Sequence, residues 1–481
     1  MGKSFKKHGI NSAVIILGEF ILKIKGLIII PFLVKLWGME TYGVFIQLIL
    51  VYNITGSLSR LGLPGATRRY VSPRVKKQKL PTFVRRCIST VLYASAIQGL
   101  LNFFLCAAIL FGLNQFFFDL VDPTFSYCTL GLAFSTIIWN CFFGISQSLK
   151  MFKRMAVLKL IYELFPYVIL ISSILLGGTK TLSALVFSAT YVFISIVYVI
   201  VFFKEFFILK PSLRIYRIFL LYGWPLSLNG IQGGLLGKSD RFFISYFLGS
   251  QATGLYHIVY TMASISEFVF SPIRKQLEVY SAIIWEKSHK KALELLIDIG
   301  RLMIIMTISL SVYLSLNIND MLNLLTSRSG EQMGHVAGII AVGVGFSLFR
   351  NLYYLFVKLN KKLLFNVKVQ LTGLVFNVLL NLVLIPAFGL IGAAYSTMLS
   401  YFSMLFILEL KLKLGLFRII GLQLLIIPIF GFLIDHFVPT SSYNTPIGLV
   451  LYSMIFLLII AILPTTLLFL RHLKKYLGDS K

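Results

Sequence analysis

Apolar stretches long enough to cross a lipid bilayer recur from one end of this 481-residue chain to the other. An α-helix rises about 1.5 Å per residue, so roughly 20 apolar residues cover the hydrocarbon core of a membrane. Only structures that satisfy their own backbone hydrogen bonds survive there, which leaves helices for segments of this length. A composition of 58% hydrophobic and 13% charged residues, with a mean hydropathy of +0.87, excludes a soluble globule of this size. The fold class is therefore an all-α integral membrane protein. Fourteen spans are read, at 10–37, 41–62, 87–111, 125–149, 155–176, 181–203, 218–248, 250–271, 298–317, 335–357, 363–386, 391–410, 419–435 and 447–470. The basic start MGKSFKKHG precedes an apolar run that continues to Trp37 without a small-residue cleavage site, so it reads as a retained first span.

An even number of spans puts both ends on one side, and lysine and arginine say which. The tail carries Lys3, Lys6 and Lys7, and the loop after the second span carries Arg68, Arg69, Arg74, Lys76, Lys77, Lys79, Arg85 and Arg86. Loops on the opposite side hold mainly acids, Glu40, Asp119, Asp122, Asp320, Glu331 and Asp435, with Lys180 and Arg328 as exceptions. The positive-inside rule then makes both termini cytoplasmic; a bacterial or archaeal cell (inner) membrane is the expected location. The net charge of +28 follows from topology and from attraction to anionic headgroups, and needs no nucleic acid. Cys87, Cys106, Cys128 and Cys141 lie in or beside apolar segments without CxxC spacing, and the six histidines are scattered, so buried thiols are expected and neither a disulfide nor a metal cofactor is indicated.

The chain also carries signs of duplication. Shifted by 211 residues, the first six spans fall on spans seven to twelve, and the turn WGMETYGVF (37–45) falls on LGSQATGLY (248–256). Gly38 and Gly43 then meet Gly249 and Gly254, and Gly178 meets Gly389. Six spans per unit preserve orientation, so the expected architecture is two six-helix bundles, 1–210 and 211–415, related by a parallel repeat around a central cavity. Residues 416–481 add two transmembrane helices and a basic tail. Spans one and seven are long and interrupted, by Gly26 and Pro31 in one and by Pro225, Gly230, Gly233, Gly234 and Gly237 in the other. Bent helices at matching places point to a transport site, although such glycines also serve tight helix packing.

Charges inside spans are costly in lipid and mark a cavity or a partner. They are Glu19, Lys23 and Lys25 in span one, Lys238, Asp240 and Arg241 in span seven, and Arg60, Glu163, Glu267 and Arg350 elsewhere. Glu19 and Lys23 are one turn apart and suit an intrahelical pair, which leaves Lys25 on another face. Arg60 and Glu267, near span ends, read more simply as snorkelling or locally paired groups. By position Lys23 and Lys25 lie near the midplane, Lys238 and Arg241 in the outer half, and Glu163, Glu267 and Arg350 toward the cytoplasm.

The first span with its proline-containing end and LWGMETYG, the second leading into LSRLGLPGATRRY, and the stretch GKSDRFFISYFLGSQATGLY (237–256) resemble the polysaccharide-transport branch, the O-antigen or lipid-linked oligosaccharide flippases of Wzx type, of the multidrug, oligosaccharidyl-lipid and polysaccharide exporter superfamily. The resemblance runs over about 410 residues of the sequence. It implies two six-helix lobes, a V-shaped cavity, and movement of polyprenyl-diphosphate-linked glycan to the outer leaflet by alternating access, for cell-surface polysaccharide synthesis alongside other glycan-assembly membrane proteins. Fourteen spans depart from the twelve common in O-antigen flippases and are similar to the lipid II flippases. A diphosphate and many hydroxyls cannot cross hydrocarbon unpartnered, and a cationic cleft supplies partners. Lys23, Lys25 and Arg241 are the expected diphosphate contacts, with Lys238 and Arg350 secondary. Glu19, Glu163, Asp240 and Glu267 are expected counter-ions or ion-coupling groups, and coupling to protons, sodium or the membrane potential stays open.

Two other functions fit the sequence less well. A multidrug or cation antiporter would share the architecture, but an electropositive cleft repels its cargo. A membrane glycan polymerase or ligase needs a large external loop for catalytic groups, and the longest external connection, about 318–334, carries only Asp320 and Glu331 as acids. The topology is checked by cysteines placed singly at Gln78, Lys475 and Asp122 in a cysteine-free background. In intact cells only the Asp122 position is expected to react with an impermeant thiol reagent, and labelling at Gln78 would reverse the orientation.

Overall fold

A computed structural model describes residues 25–26, 28–75, 81–116, 123–149, 151–206, 209–267, 288–326, 333–360 and 363–414, with isolated positions between 270 and 285. Among the described residues the regular structure is helical. Glu19 and Lys23, the external charges Asp119, Asp122, Arg328 and Glu331, and the two last spans with the 416–481 segment lie outside the described residues.

The chain begins with α1 (Ile28–Trp37), α2 (Met39–Ser59), α3 (Leu63–Val71) and α4 (Thr82–Phe116). It continues with α5 (Pro123–Cys128), α6 (Gly131–Ser148), α7 (Phe152–Leu175), α8 (Lys180–Phe206), α9 (Leu213–Leu236) and α10 (Asp240–Ala263). The later helices are α11 (His289–Thr326), α12 (Met333–Leu359) and α13 (Leu363–Leu412). Seven described helices are long and apolar enough to cross a membrane, so the chain is a multi-pass membrane protein. The last of them holds a kink at Gly389, φ 59°, which divides it near the boundary between the segments read at 363–386 and 391–410.

Packing divides the chain into two units, Met1–Leu255 and Tyr256–Lys481. That division lies some way past the 210/211 boundary expected from sequence, because α9 packs on α2, α3 and α4 and the first part of α10 meets α2. Small residues make this approach possible. Gly62, at φ 68°, faces Gly223 of α9 so closely that a methyl group there would collide with the Gly223 carbonyl. Tyr70 stacks on Phe219 at 5.3 Å between ring centres, and Gln98 donates to the Tyr216 hydroxyl at 3.2 Å. Ser212 opens α9 by accepting from the Ile215 amide, which satisfies one of the free N–H groups of the first turn.

At the other end of α2 the two glycine turns meet. Gly38 and Gly249 have φ of 82° and 86°, a left-handed conformation that suits glycine. A methyl on Gly43 would strike the Ser250 carbonyl, and one on Gly254 would lie 2.8 Å from the Met39 carbonyl. At the 211-residue offset Met39 corresponds to Ser250 and Gly43 to Gly254, so the contact reads the same from either side. Gln47 donates to Ser245 one turn further in. The third glycine pair is shifted by one residue, since the positive φ values fall at Gly177 and Gly389 while Gly178 is ordinary.

Inside the first unit, Trp37, Phe45, Phe125 and Phe187 form an edge-to-face aromatic cluster. The buried Asn102 accepts from Ser59 at 2.9 Å and donates to the Ala133 carbonyl at 2.8 Å, tying α4 to the neighbours on both sides. Lys180, one of the two exceptions to the charge rule, donates to Thr41 at 2.9 Å. Cys87, Cys106 and Cys141 are buried free thiols, and Cys128 is half-buried. In the second unit α12 packs on α11 and α13, with Gly343 against Met398 and Gly345 against Thr307. The Tyr353 hydroxyl donates to Glu409.

Gly43→Ala is expected to push α2 and α10 apart, because the new methyl meets backbone that cannot rotate away. Overpacking of this kind costs about 1–3 kcal/mol, and a drop of several degrees in the thermal midpoint of the detergent-solubilised protein would report it. An unchanged midpoint would show that the two helices are not held at this distance.

Candidate functional site

Four helices of the first unit enclose a cavity of about 400 Å³. Its walls follow helical spacing: Ile49, Tyr52, Asn53 and, at the end of the helix, Arg60 from α2; Leu132, Thr136, Trp139, Asn140 and Phe143 from α6; Lys159, Tyr162, Glu163 and Tyr167 from α7; Phe187 and Tyr191 from α8. Positions three and four apart share a helix face, so each helix presents one stripe to the cavity. Trp139 stacks on Tyr162 at 4.1 Å with the planes 7° apart, and Tyr191 meets Tyr162 edge-on at 4.9 Å. Aromatic surface thus surrounds a small set of polar groups.

Lys25 and Glu163 form an ion pair at the edge of this cavity. The Lys25 Nζ donates to Glu163 Oε2 at 2.9 Å and to the Glu163 carbonyl at 3.1 Å, and stands 4.7 Å from the centre of the Tyr167 ring. The pair sets Glu163, an expected counter-ion, directly against Lys25, an expected diphosphate contact. On its other side Lys25 lines a groove of about 360 Å³ with Ile28, Ile29, Phe32, Leu164, Val168 and Ile171, and Tyr167 lines both spaces. The groove's walls are aliphatic and aromatic apart from Lys25.

A second charged group sits where α9 ends. The chain turns through Gly237, Lys238 and Ser239 before α10 begins, so the break in span seven falls at Gly237, while helix continues through residue 225. Arg241 Nη1 donates to the Gly237 carbonyl at 2.9 Å and lies 3.5 Å from Asp240 Oδ1, and both side chains are buried. Lys238 lies within electrostatic range of Arg241 and of Arg60. Arg60 itself donates from Nε to the Gly56 carbonyl and from Nη2 to Ser57, each at 2.8 Å. In the second unit Arg350 donates to Asn351 at 3.4 Å and lies within electrostatic range of Glu267 and Arg274.

The structure therefore brings Lys25 to Glu163, gathers Lys238, Arg241 and Asp240 near Arg60, and sets Arg350 with Glu267. Arg60, whose place near a span end suggests snorkelling, in fact borders the cavity. Lys159, Asn53 and Asn140 do not stand out from sequence. Their signal is present as polar residues in register with Glu163 and Trp139 on the inward stripes, but the register needs the helix packing to show which stripe faces inward.

Residues 9–276, more than half of the chain, match a family model described as polysaccharide biosynthesis protein. An uncharacterised membrane protein of Methanocaldococcus jannaschii is 27% identical over 196 residues, 40% of this chain and 38% of that relative. The chain thus spans well under half the length of that curated relative. Among solved structures, the lipid II flippase MurJ in an inward closed conformation aligns with a TM-score of 0.62 and 14% identity over 97% of this chain and 99% of that one. A multidrug resistance MATE family transporter of the MOP superfamily, inward-facing, aligns with a TM-score of 0.63 and 13% identity over 85% and 99%. A MOP superfamily transporter from Pyrococcus furiosus aligns with a TM-score of 0.58 and 13% identity over 84% and 95%. At these identities the likeness is one of fold.

Breaking the Lys25–Glu163 pair from one side leaves a charge in apolar surroundings. Glu163→Gln and Lys25→Met are each expected to lower stability by about 1–3 kcal/mol, and the double substitution by less than the sum of the two. Additive losses in thermal midpoint across the four proteins would show that the two groups do not interact.

Proposed function

This chain belongs to the polysaccharide biosynthesis protein family, and on that premise we propose that it is a membrane transporter that carries polyprenyl-diphosphate-linked oligosaccharide from the cytoplasmic to the outer leaflet. The observation that carries the reading is the charge of the first unit. Lys25, Arg60, Lys159, Lys238 and Arg241 border its cavity or its α9–α10 turn, against Glu163 and Asp240. Excess positive charge within membrane helices is unfavourable unless an anion visits it. A diphosphate is such an anion, and the sugar attached to it presents hydroxyls that must also be partnered while they cross hydrocarbon.

Transport requires that the carrier open to one side at a time. In the first unit α2 is held at both ends by glycine contacts, Gly62 with Gly223 and Gly43 with Ser250 and Gly254. With both termini cytoplasmic, the first contact closes the inner side and the second the outer. Alternating access then amounts to releasing one while the other holds. An inside-negative potential favours outward passage of the anionic headgroup by roughly 2.3 kcal/mol per charge per 100 mV. Glu163 and Asp240, each beside a cation, balance that cation when the cargo has left. The cationic set disfavours the positively charged cargo that a multidrug antiporter would carry.

Deletion of the gene is expected to leave lipid-linked glycan on the inner leaflet and to deplete surface polysaccharide. In complemented cells Lys25→Arg should retain transport, since arginine keeps the charge and binds phosphate oxygens in pairs, whereas Lys25→Gln and Arg241→Gln should lose it by roughly tenfold or more. Immunoblots control for expression. Normal surface glycan in well-expressed neutral variants would overturn the diphosphate role, and normal translocation with arrested chain growth in the deletion strain would replace the transporter by a polymerase.

A further inference from the structure

The cavity between α2, α6, α7 and α8 has the surface chemistry of a carbohydrate site. Asn53 and Asn140 each spend one amide N–H on a carbonyl of their own helix, at 2.7 Å to Ile49 and 2.7 Å to Thr136. An Asn side chain has two N–H donors and a carbonyl with two lone pairs, so most of the capacity of both remains for a ligand. Glu163 gives Oε2 to Lys25, which leaves Oε1. Arg60 uses Nε and Nη2, which leaves Nη1, and Lys159 rests over the Phe143 ring, 5.6 Å from its centre, with its ammonium donors toward the same cavity. Aromatic rings supply the rest of the wall. A sugar ring has this pattern in reverse, with apolar C–H faces for aromatic surface and a rim of hydroxyls that both donate and accept.

Size and surroundings narrow the ligand further. A volume of about 400 Å³ lies in the small-molecule range of roughly 300–1,000 Å³, enough for one or two sugar rings. The neighbouring apolar groove begins on the far side of Lys25 and Tyr167. A polar aromatic chamber, a cation and an aliphatic groove are therefore arranged in the same order as sugar, diphosphate and prenyl chain. We infer that the cavity is a sugar-recognising subsite that holds the diphosphate-proximal sugars of the cargo, with the diphosphate at Lys25 and the prenyl chain leaving along the groove. This inference rests on the transport reading above and adds to it a site of selectivity.

The test uses two probes and the full-length protein in nanodiscs. One probe is the lipid-linked glycan purified from the deletion strain, and the other is unglycosylated polyprenyl diphosphate of the same chain length. Wild type is expected to bind the glycosylated lipid more tightly. Asn53→Ala/Asn140→Ala removes only side chains bonded within their own helices, so folding should persist, and a melting curve checks it. This variant is expected to bind the glycosylated lipid roughly tenfold more weakly while binding the unglycosylated one as wild type does. Equal binding of both lipids by wild type, or an unaltered preference in the double variant, would overturn the sugar subsite and leave the transport reading standing. Failure of wild type to bind either lipid would sink both. Binding of tetraphenylphosphonium that is lost in the double variant, with lipid binding unaltered, would make the cavity an aromatic-cation site instead.

Discussion

Everything in this molecule is arranged around the cost of an unpartnered polar group in hydrocarbon. Helices meet that cost for the backbone, and the side chains that remain polar inside the membrane meet it in small local groups. Lys25 takes Glu163, Arg241 takes Asp240 and the Gly237 carbonyl, and Asn102 joins Ser59 to Ala133. Around the first-unit cavity Asn53, Asn140 and Arg60 bond within their own helices and keep donors and acceptors that face the open space.

The helical fold and much of its segmentation were legible because hydropathy measures the quantity that lipid selects. Glycine turns were legible too, since a left-handed φ at Gly38 and Gly249 is a demand that few other residues meet. The site was legible only in part. Intramembrane charge drew attention to Lys25, Glu163, Lys238, Asp240 and Arg241, but partnership across helices depends on rotation of each helix about its axis. Sequence spacing suggests the intrahelical Glu19–Lys23 pair, and cannot show that Lys25 reaches a residue 138 positions away. Nor could it mark Asn53 or Asn140, because a neutral amide inside a span gives a weak signal until the aromatic stripes beside it are known to face one another. The packing division at 255/256 and the lobe boundary expected at 210/211 differ for a related reason. Connectivity groups α9 with the later helices, whereas glycine contacts with α2 and α3 bind it to the earlier ones.

Family membership and fold likeness meet at one architecture but pull toward different cargo, since structures of both a lipid II flippase and multidrug transporters superpose on this chain comparably well. Fold alone does not choose between them, because function in such bundles resides in the side chains that face the interior. The cations of the first unit and the amide-rich aromatic chamber beside them are the grounds on which an anionic glycolipid is proposed as the cargo.

The meeting of Gly43 with Ser250 and of Gly254 with Met39 has a mechanical consequence. It is a seam where main chain approaches main chain, with the Met39 thioether lying against Gly254. Interlocked side chains must change rotamer before two helices can part, and each such step adds friction to the motion. A seam built on glycine has little to disentangle, and Gln47 to Ser245 is a latch beside it. Such a joint closes to one well-defined distance yet parts with little rearrangement. None of the chamber-lining residues takes part in the glycine contacts of the seam, so the joint and the chamber are built from separate side chains.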